Sequence, residues 1–270
     1  MALPITFLSD YGYGDEFAGV CRAVIARIAP DALLVDLTHG IGRHGVDEGA
    51  AILAAALPFT PIGIHLAIVD PGVGSPRRAI AVRVVEEGRI LVGPDNGLLW
   101  PAIERLGGAA EAVDVSLSPL RLKPISATFH GRDVFAPVAA HLSTGFALRD
   151  AGEPLDPGDL VRLERSHASV EPGPLVVTHV VRADRFGNLI LDLAERDLPA
   201  SGLRLGRRLR VETAAGDHEG VYARTFADVG EGELLLYLDS SGSLGLAVNR
   251  GSAAGRIGAD PGDQIALRPL

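Results

Sequence analysis

Between Ile5 and Asp70, three short apolar runs alternate with two stretches of helical period, and no other feature limits the fold as much. The runs are ITFLSD at 5–10, ALLVDLTH at 32–39 and IGIHLAIVD at 62–70. Each has the length of one strand, and the third is apolar on both alternating faces, as a strand covered on both sides must be. Between them, EFAGVCRAVIARIA at 16–29 sets Phe17, Val20, Val24 and Ile28 at helical spacing and stops at Pro30. GVDEGAAILAAALP at 45–58 consists mostly of good helix formers. AIAVRVV at 79–85 and RILVGPD at 89–95 read as a hairpin or neighbouring strands, and GLLWPAIERLG at 97–107 and DVFAPVAAHLSTG at 133–145 as helices. This order predicts an α/β unit, a mostly parallel sheet with helices on both faces.

After about residue 150 the helical period disappears. GEPLDPGD at 152–159 and EPGP at 171–174 are rich in turn formers. Beyond them only strand-like pieces follow, among them LVVTHVVRAD, NLILDLA, ELLLYLD and SLGLAVN, separated by Gly or Asp/Ser turns. Such spacing predicts a small all-β barrel or sandwich. The expected division is an N-terminal α/β domain over 1–165 and a C-terminal β-barrel-like domain over 172–270.

Composition narrows the function classes. The net charge is −9 with a single lysine, Lys123, and the short cluster Arg207, Arg208 and Arg210 reads as solvated surface, so no nucleic-acid partner is expected. No apolar run approaches the ~18 residues of a membrane span. The N-terminal segment MALPITFLSD lacks a basic region and a small-residue cleavage site, which predicts a cytoplasmic protein. The lone Cys21 lies in an apolar helical pattern and reads as a small core residue. His39, His44, His65, His130 and His141 form neither H-x-x-x-H nor H-E-x-x-H, so no metal site is expected.

Four polar residues stand just after apolar runs: Asp10, His39, Asp70 and Asp95. Ligands of open parallel sheets bind beyond the carboxyl ends of strands, so the four together predict a site there. In IVDPGVGSPRR the Gly-rich turn lacks both the P-loop and the G-x-G-x-x-G spacing; the other reading is a tight turn that brings Asp70 and Arg77 together, either in one cleft or as a structural ion pair. In TFHGRDVFAP, His130 stands between Phe129 and a glycine that permits close ligand approach. In the second half, Asp184, Asn188 and Ser240 lie in turns, and the Asn188 amide offers a donor and an acceptor suited to a nucleobase edge.

At these motifs the sequence resembles the S-adenosylmethionine (SAM) hydrolases, or SAM hydroxide adenosyltransferases, relatives of the fluorinase and chlorinase. The markers run in order along nearly the whole chain: SDYGYGDEFAGVCRAVI, DLTHGI, VDPGVGSPRR, GPDNGLL, FHGRDVFAPVAAHL, DRFGNL and SLGLAVNRGSAA. The resemblance implies hydrolysis of SAM to adenosine and methionine, no cofactor, and a homotrimer with sites at subunit interfaces. It implies a catalytic set of Asp70, Arg77 and His130. It further implies that Asp10 binds the ribose, that Asn188 and the main chain of Val248, Asn249 and Arg250 hold adenine, and that Asp15, Asp184, Ser240 and Ser241 hold the methionine end. Phe17 and Phe129 complete the implied substrate contacts. Two alternatives stay open: transfer of halide in place of water, and a non-catalytic SAM or adenosine sensor.

Overall fold

A computed structural model describes residues 2–163, 168–171 and 175–270. The chain separates into two compact units, residues 1–164 and 165–270. The segment 165–172, where the sequence pattern changes, lies partly outside the described residues.

The first unit contains β1 (Ile5–Ser9), α1 (Phe17–Ile28), β2 (Leu34–Thr38), α2 (Val46–Ala56), β3 (Ile64–Ile68), β4 (Ala79–Val84), β5 (Ile90–Pro94), α3 (Trp100–Arg105), β6 (Ala109–Asp114), α4 (Ala136–Ser143) and β7 (Glu153–Leu155). Its sheet runs β2-β1-β3-β5-β4-β6-β7; the first four strands are parallel and the rest antiparallel. Alternation along the strands feeds two cores. Phe7, Leu66 and Ile68 pack with Cys21 and Ile25 of α1 and Val138 of α4, whereas Leu8, Ala67 and Val69 pack with Leu53 of α2 and Ile103 of α3. Each fully buried Leu or Ile contributes roughly 1.5–3 kcal/mol. Because α1 and α2 leave opposite faces, the chain turns left from β1 and right into β3. The crevice between the carboxyl ends of these two strands is where such a sheet opens to a ligand.

Local chemistry explains where the elements depart from the sequence reading. The helix expected from Gly97 starts at Trp100, because Asn96 accepts the Leu98 N–H (3.1 Å) and Gly97 adopts a left-handed φ of 94°. The Ala- and Glu-rich strand β6 carries little strand signal; its pairing with β4 overrides propensity. Cys21 is fully buried, and burial pushes its thiol up to about 12, so it is a core group as expected. His65 is equally buried between Thr6 (2.9 Å) and Arg89 (3.4 Å); burial, aided by Arg89, lowers it to about 3 and keeps it neutral.

The second unit adds β8 (Ser169–Glu171), β9 (Leu175–Ala183), β10 (Leu189–Ala194), α5 (Leu198–Ser201), β11 (Arg208–Thr213), β12 (Gly216–Tyr222), β13 (Leu234–Leu238), β14 (Ser243–Val248), α6 (Ala253–Ile257) and β15 (Gln264–Pro269). Seven strands close in the order β10-β14-β13-β12-β11-β15-β9, with β9 returning to β10, and β8 extends β9 outside the ring. Closure pairs every ring edge, and Val176, Leu191, Leu209, Leu236, Leu246 and Leu267 fill the interior.

Candidate active site

Asp10 and Asp70 stand one and two residues beyond the adjacent parallel strands β1 and β3. The chain after Asp70 makes two tight turns, with Val73 N–H on the Asp70 carbonyl (3.2 Å) and Ser75 N–H on the Gly72 carbonyl (3.0 Å). These turns swing Arg77 back onto Asp70. Its Nε donates to both carboxylate oxygens (2.8 and 3.1 Å) and its Nη2 donates to Oδ2. Gly74, at φ 80°, lies so close to the Ala127 carbonyl that a Cβ would sit 2.6 Å from its oxygen. A side chain there would wedge the 70–77 turn away from the loop that carries His130.

That loop is anchored from the other side. The buried Asp133 accepts Ser126 N–H (2.7 Å) and Arg132 Nε–H (2.7 Å), and its own carbonyl accepts Leu122 N–H (2.9 Å). Gly131–Phe135 forms one wide turn, closed by Ala136 N–H on the Gly131 carbonyl, before α4 begins. Such i→i+5 turns re-aim a helix start, and here the residue aimed is His130. Its Nδ1 lies 3.0 Å from Arg77 Nη2. A guanidinium has hydrogens to give and no lone pair to receive one, so Nδ1 accepts and the ring proton sits on Nε2. The result is a chain, Asp70 to Arg77 to His130, with the Asp70 and Arg77 side chains only 7% and 10% exposed.

Burial and then the Arg77 charge lower the His130 pKa, against an opposing pull from Asp70. Protonation would put a hydrogen on Nδ1, facing a cation, and break the chain. Activity that depends on this chain is therefore present above the folded pKa and lost as pH falls through it. The acid limb of the kcat/KM profile is expected below the ordinary histidine value of about 6.5. A limb centred at or above that value would contradict the assignment.

The cleft beside this chain is lined by Asp10, Tyr11, Asp70, Val73, Thr128, His130 and Gly131. Asp10 accepts the His44 N–H (3.2 Å) on one carboxylate oxygen, and the other has no hydrogen-bond partner among the described residues. Phe17 and Phe129 stack edge-on at 5.2 Å, and both touch the Tyr11 ring. Asp15 is exposed in the loop before α1. Two of the four polar residues expected at strand ends do not join the cleft lining. His39 is buried on Ser9 Oγ (2.7 Å), and Asp95 is bound to Arg78 and to the Val161 N–H (2.9 Å), so both brace loops. Tyr11, Val73 and Thr128 were not singled out in the sequence. Tyr11 alone carried a usable signal, its place directly after Asp10 at the end of β1.

In the barrel unit, Asp184 closes its own turn, accepting the main-chain N–H groups of Phe186 (2.8 Å) and Asn188 (2.9 Å) and the Asn188 side-chain amide (2.8 Å). This leaves the Asn188 amide oxygen available. Gly187, at φ 79°, abuts Ser252 with no room for a Cβ, and its carbonyl accepts Ala254 N–H (3.0 Å). The Asn188 turn and the Val248–Arg250 segment are thereby held at one end of the barrel. Asn249 spends its N–H on Glu233 and its carbonyl on Gly232. Arg250 adopts a left-handed φ of 57°, and its main chain has no hydrogen-bond partner among the described residues. Ser240 and Ser241 lie at the opposite end of β14, about 17 Å away at strand rise. Ser241 is held there by Asp239 Oδ1 (2.7 Å).

Among the described residues, no three His, Cys, Asp or Glu side chains assemble as a metal set, and no helix is long and apolar enough to cross a membrane.

Comparison with known proteins agrees in both units. The sequence model of the SAM hydroxide adenosyltransferase N-terminal domain matches residues 5–152, and that of the C-terminal domain matches residues 178–266. The chain is 44% identical to an (R)-S-adenosyl-L-methionine hydrolase of Salinispora tropica, covering 97% of this chain and 96% of that protein. It is 30% identical to a fluorinase of Nocardia brasiliensis, over 93% and 91% of the two chains. The crystal structure of an uncharacterized conserved protein from Thermotoga maritima superposes with a TM-score of 0.91 at 35% identity, covering 98% of this chain and 99% of that one.

Proposed function

The chain belongs to the SAM hydroxide adenosyltransferase family, and from that membership and the cleft geometry we propose that Asp70, Arg77 and His130 hold and activate its attacking water. The enzyme hydrolyses S-adenosyl-L-methionine to adenosine and L-methionine. The sulfonium makes methionine a neutral leaving group, so no acid and no cofactor is needed at sulfur. What the reaction requires is an oxygen aligned behind C5′, and positioning of that kind contributes up to roughly 7–11 kcal/mol in ideal cases. The water oxygen bonds to C5′, the C5′–S bond breaks with its electron pair going to sulfur, and one water proton leaves.

The observation that carries this reading is the division of labour along the chain of three. His130 Nδ1 is committed to Arg77, so the imidazole offers Nε2–H to the cleft as a donor. Asp70 is the carboxylate left to take the proton, and Arg77 holds it in place and stabilises developing hydroxide. Asp10 binds the ribose hydroxyls. The Asn188 amide and the main chain of Val248 and Arg250 bind adenine, whereas Asn249, whose N–H and carbonyl are both engaged within the barrel, drops out of the expected adenine contacts; Asp15, Asp184, Ser240 and Ser241 bind the methionine end, with Phe17 and Phe129 lining the substrate. The family resemblance implies a homotrimer with sites at subunit interfaces, and the water-holding and adenine-holding residues fall in different units, as sites shared in that way require. We place the enzyme in the cytoplasm, as the sequence reading expects.

Water, and not halide, is the nucleophile. Paired with Arg77, Asp70 leaves no net positive charge to draw a halide in, whereas its carboxylate can accept a hydrogen from water and aim the water lone pair at C5′. Turnover in oxygen-18 water is expected to put the label on the 5′ oxygen of adenosine. Added chloride, bromide or fluoride is expected to give no 5′-halo-5′-deoxyadenosine. Unlabelled adenosine, or robust halonucleoside at neutral pH, would overturn the reading.

A further inference from the structure

The cleft is also walled by Tyr11, to which the reaction above gives no task. Packing fixes its ring: Phe129 meets it edge-on at 5.9 Å and 83°, and Phe17 tilts against it at 5.9 Å. The Ser9 hydroxyl holds its main-chain N–H (3.3 Å). The direction of the phenol C–O bond is thus set before any ligand arrives. That bond ends against the α-carbon of Gly131, where any Cβ would overlap the phenol oxygen. Among the described residues the phenol oxygen has no hydrogen-bond partner. It is not one of the sealed, unpartnered polar atoms of the interior, so it is open to whatever occupies the cleft that Tyr11 lines.

We propose that the Tyr11 hydroxyl contacts the attacking water directly and accepts a hydrogen bond from the hydrogen that the water oxygen keeps, the other going to Asp70. The assignment rests on the hydrolase reading above. A water that attacks carbon must place two hydrogens and two lone pairs. One lone pair points at C5′, and the other receives the His130 Nε2–H. One hydrogen goes to Asp70. The second needs an acceptor that does not compete for the proton, and a neutral phenol oxygen is such a group. Burial, with smaller contributions from Cys21, Asp10 and Asp70, raises the Tyr11 pKa well above its ordinary value, so the phenol keeps its own hydrogen throughout. Gly131 belongs to the same device, because only glycine leaves the phenol oxygen where it is.

Tyr11→Phe keeps the ring contacts and removes the one oxygen. With SAM as substrate, kcat is expected to fall about tenfold, the size of one lost hydrogen bond, while KM stays within about twofold. Incorporation of 3-fluorotyrosine at position 11 restores the hydroxyl and is expected to restore kcat to within about threefold. Unchanged kcat in Tyr11→Phe, with wild-type enzyme forming adenosine alongside, would overturn the Tyr11 assignment alone. Failure of the wild-type enzyme to form adenosine would instead strike the hydrolase reading. If Tyr11→Phe melts early, the fluorotyrosine protein decides: low kcat despite a native melt counts against the proposal.

Discussion

Asparagine at position 70 is expected to slow adenosine formation by about a hundredfold or more, with SAM binding retained. The amide matches the carboxylate in shape and can still accept a hydrogen bond from Arg77 Nε, so the turn at 70–77 has its anchor. On the proposed assignment, what the variant loses is the ability to take a proton from water. His130 is no substitute in this geometry, because its accepting nitrogen lies 3.0 Å from Arg77 Nη2 and is already engaged. Steady-state rates with isothermal titration of SAM separate the two effects. Activity within a few-fold of wild type would remove Asp70 as the proton acceptor and reopen that role for another group in the cleft.

Arg77→Met is expected to damage both the chemistry and the fold of the first unit. Arg77 is the only link from Asp70 to His130 among the described hydrogen bonds, and its guanidinium also lies over the Phe135 ring at 5.2 Å. Methionine preserves much of the apolar volume and none of the charge. The Asp70 side chain, 7% exposed, then has no counter-ion. Removing one partner from a buried pair costs about 3–5 kcal/mol, because the other charge stays desolvated. The expected result is near-total loss of turnover together with a lower melting transition. The double variant Arg77→Met with Asp70→Leu should recover much of the melt, since both charges are gone, and none of the activity. A single variant as stable as wild type would mean that solvent reaches Asp70 far better than its burial implies.

Much of this enzyme was legible in its sequence because the signals were local. The apolar run at 62–70 could only be a strand covered on both faces, and β3 is fully buried. The change from helical period to closely spaced strands after residue 150 anticipated a closed barrel. The family resemblance, carried by motifs in order along the chain, brought Asp70, Arg77 and His130 forward as a set. What the sequence could not determine was how those three divide the work. Hydrogen-bond direction decides that, and it depends on a contact between residues 77 and 130 that no local pattern encodes. The same limit explains His39 and Asp95, which end strands as Asp10 and Asp70 do. Only packing against Ser9 in one case, and against Arg78 and the 161 main chain in the other, turns them into braces. It explains Tyr11 as well: beside Asp10 it reads as one more aromatic in a glycine-rich loop. Its hydroxyl acquires a direction only when Phe129 and Gly131, distant in sequence, close around it together with the nearby Phe17. Periodicity and turn chemistry act over a few residues and fix the elements; the orientation of a polar atom in a cleft is a tertiary property, set by close packing between segments far apart in the chain.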